Sequence, residues 1–210
     1  MMTFSQHPGQ GPLLLLAHGA GAPVDSPVME SLTATINRLG VDVWRFEFPF
    51  MVQRRHTGKR RPPDRPAVLL SAWNEHLAQA RAQYPGRLLV VAGKSLGGRI
   101  ASMLAQQETR LPWIAFGYPF HPPRKPDTLR TEHLYQQITP ALIVQGTRDA
   151  LGCQSEVAAY RLPEAIQLHW LSDGDHDFKP RQRSGFTQEQ HLETAAQVAV
   201  QFIQQQAKTQ

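Results

Sequence analysis

Short apolar runs alternate with longer amphipathic segments along the chain. The apolar runs predict six strands: Leu13–Ala17, Val41–Phe46, Leu88–Ala92, Trp113–Phe116, Ala141–Gln145 and Ile166–Leu171. Several of them are apolar at nearly every position, which is typical of strands that are covered on both faces. Such strands form parallel sheets, because the helices that connect them pack on both sides of the sheet.

The segments between these runs carry apolar residues at helical spacing. In the first segment, one face holds Met29, Leu32, Ile36 and Leu39. We expect Ser26 to be its N-cap, Pro27 to lie in its first turn and Gly40 to end it. The same spacing recurs at Leu69–Ala80, Leu96–Leu104 and Leu192–Ile203. The alternation predicts an α/β fold: a doubly wound, mostly parallel sheet of about six strands with helices on both faces.

Length and composition narrow the class of protein. A chain of 210 residues suits one domain, and neither an internal repeat nor a linker divides it, so we expect a single domain over residues 1–210. With 41% hydrophobic and 19% charged residues, a disordered chain is excluded. The single cysteine excludes an internal disulfide framework. Leu13–Ala17 is too short to span a bilayer and no Lys or Arg precedes it, so we expect a cytoplasmic protein with no membrane partner.

The net charge of +5 comes largely from one basic stretch, Arg54–Arg65. Three interpretations of this stretch stay open at this point. It is a solvated loop, a surface for nucleic acid or another polyanion, or a loop over a substrate site that receives a negatively charged substrate. The stretch has no aromatic residue on which a base could stack, which disfavours nucleic acid as a partner.

The strongest chemical signal is Gly93-Lys94-Ser95-Leu96-Gly97, which has the pattern G-x-S-x-G. It lies between a predicted buried strand and a predicted helix, the context in which a sharp turn exposes a nucleophilic serine. Glycines fit this turn because a side chain would clash there, and the amides at the start of the helix face a developing negative charge. The alternative is a glycine-rich turn that only lets the helix and strand pack closely.

A nucleophilic serine needs a base and an acid that orients the base. Asp149 and His176 each follow a predicted strand, in Gly146-Thr147-Arg148-Asp149 and in Asp173-Gly174-Asp175-His176-Asp177. Serine, acid and histidine therefore occur in the chain order typical of a serine displayed on a strand–turn–helix elbow, on loops at the same edge of the sheet. We predict that Ser95, Asp149 and His176 form a catalytic triad.

The aspartates that flank His176 are expected to be loop and cap residues, because neighbours in sequence rarely reach the far nitrogen of the ring. A metal site at Asp175-His176-Asp177 lacks a second His/Cys cluster. We therefore predict no metal and no other cofactor.

Two backbone amides and two side chains complete the predicted site. The loop His18-Gly19-Ala20-Gly21 follows the first strong strand, and we predict that Ala20 N–H and Leu96 N–H stabilise an oxyanion, with Gly21 as the alternative donor. His18 is expected to shape the loop. Lys94, next to the serine, either attracts an anionic substrate or pairs with a carboxylate. His121 follows another strand and is a candidate substrate contact.

These motifs together resemble the α/β-hydrolase superfamily, over nearly the whole chain. More narrowly, the chain is similar to a small dienelactone-hydrolase-like branch of predicted hydrolases, with eukaryotic relatives of the KANSL/Tex type in chromatin-modifying complexes. Ser95 stands where dienelactone hydrolases have cysteine, so their substrate is not carried over. The resemblance implies a reduced α/β-hydrolase fold without a lid domain, since Gly117–Gln137 leaves room only for a loop and one short helix.

The sequence thus predicts a serine hydrolase that cleaves an ester or thioester of a small molecule. Two other functions stay open. One is an interaction protein that keeps the fold without catalysis, and the other is an acyltransferase that uses the same triad. Acyl length and oligomeric state are left open.

Overall fold

A computed structural model of the protein describes residues 3–4, 11–108 and 110–209. One seven-stranded sheet runs through it in the order β1-β3-β2-β4-β5-β6-β7. The strands are β1 Thr3–Phe4, β2 Leu13–Ala17, β3 Asp42–Phe46, β4 Leu89–Lys94, β5 Trp113–Phe116, β6 Ala141–Gly146 and β7 Ile166–Leu171. Strands β2 to β7 are parallel, and the two-residue β1 pairs antiparallel with β3. The predicted, mostly parallel sheet is confirmed, with strand ends within two residues of those expected.

The described residues form six α-helices, of which the last follows β7 and the others lie between strands. Their bounds are α1 Pro27–Arg38, α2 Pro49–Thr57, α3 Pro66–Gln83, α4 Leu96–Gln107, α5 Gln154–Ala158 and α6 Gln188–Lys208. Two short 3-10 helices, Glu132–Gln136 and Gln182–Ser184, complete the described elements. Residues of α1 and α6 pack in one hydrophobic cluster, and residues of α3 and α4 pack in another on the opposite side of the sheet. The expected doubly wound arrangement is therefore present.

The continuous apolar runs are explained by this layering. In β2, Leu13 and Leu15 belong to one cluster while Leu14 and Leu16 belong to the other, and all four are buried. Successive side chains of a strand point to opposite faces, so a strand covered on both faces needs an apolar residue at every position. Within the described residues, no helix is both long and apolar enough to cross a membrane.

Helix α2 was not predicted, and it changes the interpretation of the basic stretch. Its residues Arg54 to Thr57 form the last turn, and Gly58 ends the helix with φ of 64°. Only Phe50 and Met51 are buried, both in the first turn, so the segment lacks the sustained apolar spacing that marks a packed helix. The stretch Arg54–Arg65 is thus one helical turn followed by a loop.

The order of the strands identifies the place where a site is expected. The chain passes from β2 to β3 on one side and then returns to β4 on the other side of β2. This reversal leaves a crevice at the carboxyl ends of β2 and β4, the usual place for a ligand in an open α/β sheet. The His18-Gly19 loop follows β2 and Ser95 follows β4, so both predicted motifs border the crevice.

Candidate active site

Ser95 lies at the sharp turn between β4 and α4. Its backbone has φ of 51° and ψ of −112°, a conformation that is strained for a residue with a side chain. The turn is held by the Ser95 amide, which donates to the Phe116 carbonyl at 3.0 Å. The serine is therefore displayed at the end of the central strand, directly before the first helical residue, Leu96.

The glycines around Ser95 are required by the space available. A Cβ on Gly93 would lie 2.1 Å from the Gly97 carbonyl carbon, and one on Gly97 would lie 2.6 Å from the Ala17 carbonyl oxygen. Gly98 is equally close to β5, where a Cβ would lie 2.7 Å from that of Ala115. Helix α4 thus approaches β2, β4 and β5 so closely that only glycine fits at the contacts.

The structure brings Ser95, His176 and Asp149 together in one chain of hydrogen bonds. The Ser95 Oγ lies 2.8 Å from His176 Nε2, and His176 Nδ1 lies 2.8 Å from Asp149 Oδ2. Asp149 is fully buried, and its Oδ1 accepts from the Leu151 amide at 2.8 Å. Because the carboxylate accepts from Nδ1–H, Nε2 is left as the acceptor for the Ser95 hydroxyl.

The loops that carry the acid and the histidine are joined by backbone hydrogen bonds. The Thr147 amide donates to the Leu171 carbonyl at 3.0 Å, and the Arg148 amide donates to the Gly174 carbonyl at 2.9 Å. A Cβ on Gly146 would lie 2.4 Å from the Gly174 oxygen, so the loops touch without an intervening side chain. These contacts set the separation between Asp149 and His176.

Gln145 is a site residue that the sequence analysis missed. This fully buried side chain, near the end of β6, donates through Nε2 to Asp149 Oδ2 at 2.9 Å and to the Gly152 carbonyl at 3.1 Å. Its Oε1 accepts from the Tyr118 amide at 2.7 Å. The amide group thus donates to the same carboxylate oxygen that His176 contacts. A glutamine in an apolar strand, four residues before an aspartate, was the signal available in the sequence.

Lys94 is buried beside the serine and is paired with protein groups. Its Nζ donates to the His176 carbonyl at 2.8 Å and forms an ion pair with Asp177 Oδ1 at 3.1 Å. Burial lowers the pKa of the lysine, and the charge of Asp177 partly opposes that effect. Of the two interpretations left open, pairing with a carboxylate is the one that these contacts support. Lys94 also tethers the histidine loop to the end of β4.

The loop after β2 is held by His18, whose ring is fully buried. Its Nε2 accepts from the Phe48 amide at 3.0 Å, so Nδ1 carries the proton and donates to the Gly19 carbonyl at 2.7 Å. The carbonyl and N–H of a trans peptide point in opposite directions, so this bond directs the Ala20 N–H away from His18. Arg54 Nη1 donates to the Ala20 carbonyl at 2.9 Å and holds the next peptide.

The buried His18 makes the stability of the protein depend on pH. Burial lowers the pKa of His18 below its ordinary 6.5, so between pH 6.5 and the folded-state value the unfolded chain binds more protons than the folded one. The stability that the buried, neutral His18 contributes is fully present above pH 6.5 and is lost as the pH falls. We expect the free energy of unfolding to drop more steeply from pH 7.5 to 5.5 in the wild type than in His18→Gln. Urea unfolding at both pH values measures the free energy of unfolding. An equal drop in the two proteins would show that His18 is not the cause of the pH dependence.

A pocket of about 530 Å³ opens beside Ser95 and His176. One wall is formed by the loop after β2 and the start of α1, where Ala20, Pro27 and Met29 present apolar surface. Lys94, Asp177 and Gln188 are among the polar residues that line it. The pocket is large enough for a small organic molecule.

The structure places His121 outside the pocket. It is buried, with Nδ1 bonded to the Pro122 carbonyl at 2.9 Å and Nε2 at 3.7 Å from Glu156 Oε1. It does not line the cavity next to Ser95, so the suggested contact with substrate is not supported by its position. Among the described residues, no group of three or more His, Cys, Asp and Glu side chains is arranged to hold a metal ion.

The basic stretch also lies outside the pocket lining. Arg55 pairs with Glu47 at 2.8 Å and with Asp25 at 2.5 Å, and Arg61 pairs with Asp64 at 2.9 Å. These contacts neutralise part of the charge and do not support the interpretation as a loop that receives a charged substrate. Lys59, Arg60 and Arg65 are exposed.

The fold is similar to that of several solved structures. An alpha-beta serine hydrolase homologue from Coxiella burnetii has a TM-score of 0.71 and 18% identity, over 95% of this chain and 89% of the other. A dienelactone hydrolase from Anabaena variabilis has a TM-score of 0.72 and 18% identity, over 97% and 90%. A serine hydrolase without lid from Xanthomonas campestris has a TM-score of 0.67 and 19% identity, over 95% and 86%. At such identities the likeness concerns the fold, and the expected reduced α/β-hydrolase fold is confirmed.

The sequence itself matches one family model, described as an alpha/beta hydrolase domain, over residues 10–204. The match covers nearly the whole chain and confirms the resemblance to the superfamily. The narrower relation to eukaryotic proteins of the KANSL/Tex type stays a prediction. On this match, together with the fold, the chain is an enzyme of the alpha/beta-hydrolase family.

Proposed function

We propose that this protein is a serine hydrolase that cleaves an ester of a small substrate through an acyl-enzyme on Ser95. The observation that carries the proposal is the unbroken hydrogen-bond chain from Ser95 through His176 to the buried Asp149. Ser95 and His176 line a pocket at the crevice where the strand order reverses. We also infer that the chain is a single domain.

The geometry supports a two-step acyl transfer. His176 Nε2 takes the proton from Ser95 as Oγ attacks the substrate carbonyl carbon, and Asp149 holds the imidazole in the required tautomer. His176 then gives that proton to the leaving oxygen, and the carbon–oxygen bond breaks. A water molecule, deprotonated by the same nitrogen, attacks the acyl-enzyme and releases the acid with Ser95 restored.

The oxyanion of each step is assigned to the amides of Leu96 and Ala20. Leu96 is the first residue of α4, so its N–H has no partner within the helix and lies at the positive end of the helix dipole. The bond from His18 to the Gly19 carbonyl turns the Ala20 N–H away from the buried ring, and Ala20 lines the pocket. In a well-studied protease, removing one such donor costs about 3–4 kcal/mol of transition-state stabilisation.

The lining of the pocket favours a small, uncharged substrate. Its apolar wall at Ala20, Pro27 and Met29 suits a short acyl group. The charge of Lys94 is already balanced by Asp177, so the pocket has little excess charge with which to select an anion. Ester and thioester substrates fit this description equally well, and we take the ester as the working substrate.

Gln145 is proposed to be a positioning residue for Asp149. Replacing it with methionine, which has a similar length but no hydrogen-bond donor, is expected to lower kcat about 10- to 100-fold, since small displacements of catalytic groups have effects of this size. The KM should change little, because Gln145 does not line the pocket. Steady-state kinetics on a short p-nitrophenyl ester separate the two constants.

The matched control is Gln167→Met, at an exposed position on β7. It should leave both kcat and KM unchanged. A Gln145→Met enzyme that keeps the wild-type kcat, or one whose KM alone changes, would contradict the positioning role.

The direct test of the proposed function is labelling with a fluorophosphonate, followed by mapping of the modified peptide. We expect one modified residue, Ser95, together with hydrolysis of p-nitrophenyl acetate that the reagent abolishes. Ser102 is the matched control, since it is buried and its Oγ lies 2.8 Å from His133 Nε2. A Ser102→Ala enzyme should keep both the label and the activity.

If the wild type shows neither labelling nor hydrolysis, the proposal is overturned and the non-catalytic interaction protein is favoured. Labelling of Ser95 with product formation only when an alcohol or amine is added would favour the acyltransferase.

A further inference from the structure

A second cavity, of about 410 Å³, lies between α4 and the 3-10 helix Glu132–Gln136. From α4 it is lined by Arg99, Met103 and Gln106, and from the following loop and 3-10 helix by Leu129, Arg130, Glu132, His133 and Gln136. It shares no lining residue with the pocket beside Ser95. The proposed hydrolysis therefore makes no use of it.

Two arginines face this cavity without a carboxylate partner. Neither Arg99 nor Arg130 forms an ion pair with any described residue, and Arg99 Nε is buried without a hydrogen-bond partner. By contrast, the buried Arg45 is paired with Glu30 at 2.7 Å. Burial lowers the pKa of Arg130, and the charge of Arg99 lowers it further. Two neighbouring guanidinium groups that are partly removed from water repel each other unless an anion lies between them.

Buried hydroxyl groups donate to the main-chain carbonyls of both arginines. Ser102 Oγ donates to the Arg99 carbonyl at 2.7 Å, and Tyr118 Oη donates to the Arg130 carbonyl at 3.0 Å. Both hydroxyls belong to fully buried residues. The main chain of each arginine, which forms part of the cavity wall, is thus hydrogen-bonded to a buried side chain.

The same bonds determine the role of His133. Because the Ser102 hydroxyl proton is directed to a carbonyl, His133 Nε2 at 2.8 Å from Ser102 Oγ must be the donor. Ser102 therefore has no base to activate it, and the pair is not a second nucleophilic site. Burial, followed by the charge of Arg99, lowers the pKa of His133 to about 4, so the ring is neutral near pH 7.

We propose that this cavity binds the phosphate group of a small phosphorylated molecule between Arg99 and Arg130. A guanidinium group offers a planar pair of donors that matches phosphate or carboxylate oxygens. Glu132 also lines the cavity, but it is exposed and forms no ion pair with either arginine. The charge of the two arginines distinguishes the ligands, because a phosphate dianion balances both arginines whereas a carboxylate balances one. The cavity is larger than a phosphate ion, and the remaining space, beside Leu129 and Met103, accommodates the rest of the molecule.

Isothermal titration with inorganic phosphate, at constant ionic strength set by chloride, tests the proposal. We expect one site per chain in the wild type, with affinity weakened at least ~10-fold in Arg99→Gln and in Arg130→Gln, the loss typical of a charged hydrogen-bond partner. Arg60→Gln is the matched control, since it removes the same charge from an exposed loop residue. It should bind phosphate as the wild type does.

Thermal unfolding gives a second readout, first without phosphate and then with it. Without phosphate, Arg99→Gln and Arg130→Gln are expected to melt at or above the wild-type temperature, because one of two repelling charges is gone. Added phosphate should raise the melting temperature of the wild type and of Arg60→Gln only.

Three results would overturn the proposal: no binding of phosphate by the wild type at millimolar concentration, equal binding by Arg99→Gln, or acetate binding as tightly as phosphate. A phosphorylated small molecule that binds more tightly than inorganic phosphate would support it. Ester hydrolysis is not a readout here, so failure of this proposal leaves the proposed function untouched, and the reverse also holds.

Discussion

Replacing Ser95 with alanine is expected to lower kcat for ester hydrolysis by about 10⁴- to 10⁶-fold, the range found when a triad serine is removed. This corresponds to about 5 to 8 kcal/mol of transition-state stabilisation. The reason is that His176 Nε2, 2.8 Å from Oγ, would have no hydroxyl to activate. Steady-state rates with p-nitrophenyl acetate, after correction for spontaneous hydrolysis, measure the effect. Folding should be nearly unchanged, since alanine keeps the Cβ that the turn already accommodates.

Ser95→Gly is an informative control for the same position. It should be equally inactive, but it should unfold at a higher temperature than Ser95→Ala, because glycine adopts the φ of 51° without strain. A Ser95→Ala enzyme that retains a tenth or more of the wild-type rate would contradict the nucleophilic role. In that case the rate must come from another group.

The largest expected effect on stability is that of Gly93→Ala. The new Cβ would lie 2.1 Å from the Gly97 carbonyl carbon and 2.3 Å from the Gly98 nitrogen, and both are backbone atoms that cannot turn aside. We expect a loss of about 3 kcal/mol or more in the free energy of unfolding, or no folded protein at all. Urea unfolding followed by circular dichroism measures the loss.

Gly11→Ala is the matched control, because a Cβ there meets no atom within 4 Å. It should change the free energy of unfolding by a few tenths of a kcal/mol. If Gly93→Ala were as stable as Gly11→Ala, helix α4 could not approach β4 as closely as the structure shows.

Much of the fold followed from the sequence, because the relevant signals are local. Each residue of a doubly covered strand meets a core cluster, so the runs at Leu13–Ala17 and Trp113–Phe116 predicted their strands with the observed ends. The ends of the edge strand Ile166–Leu171 were also predicted, although only its first and last residues are buried. Helix α2 was missed because it buries residues only in its first turn. The capping box at Thr187, in which its side chain accepts from the Gln190 amide at 3.2 Å, was also overlooked as the start of α6.

The candidate triad was predictable for a related reason. In a parallel sheet, residues that directly follow different strands meet at one edge, so the sequence positions of Ser95, Asp149 and His176 implied a common site. The glycine spacing around Ser95 added an independent signal, since the clashes at Gly93 and Gly97 depend on the turn itself.

The sequence by itself therefore determined the six parallel strands, though not the short β1, and the residues expected to meet at the carboxyl ends. Only the tertiary structure decided the partners of the buried polar groups, such as Gln145 with Asp149 and Lys94 with Asp177. It also left Arg99 and Arg130 without an ion pair among the described residues. Polar partners often come from segments distant in the chain, and the sequence contains no periodic pattern that predicts which charged or amide side chains pair. Hydrophobic burial repeats along the sequence, whereas a hydrogen bond depends on a distance and an angle that the complete fold creates.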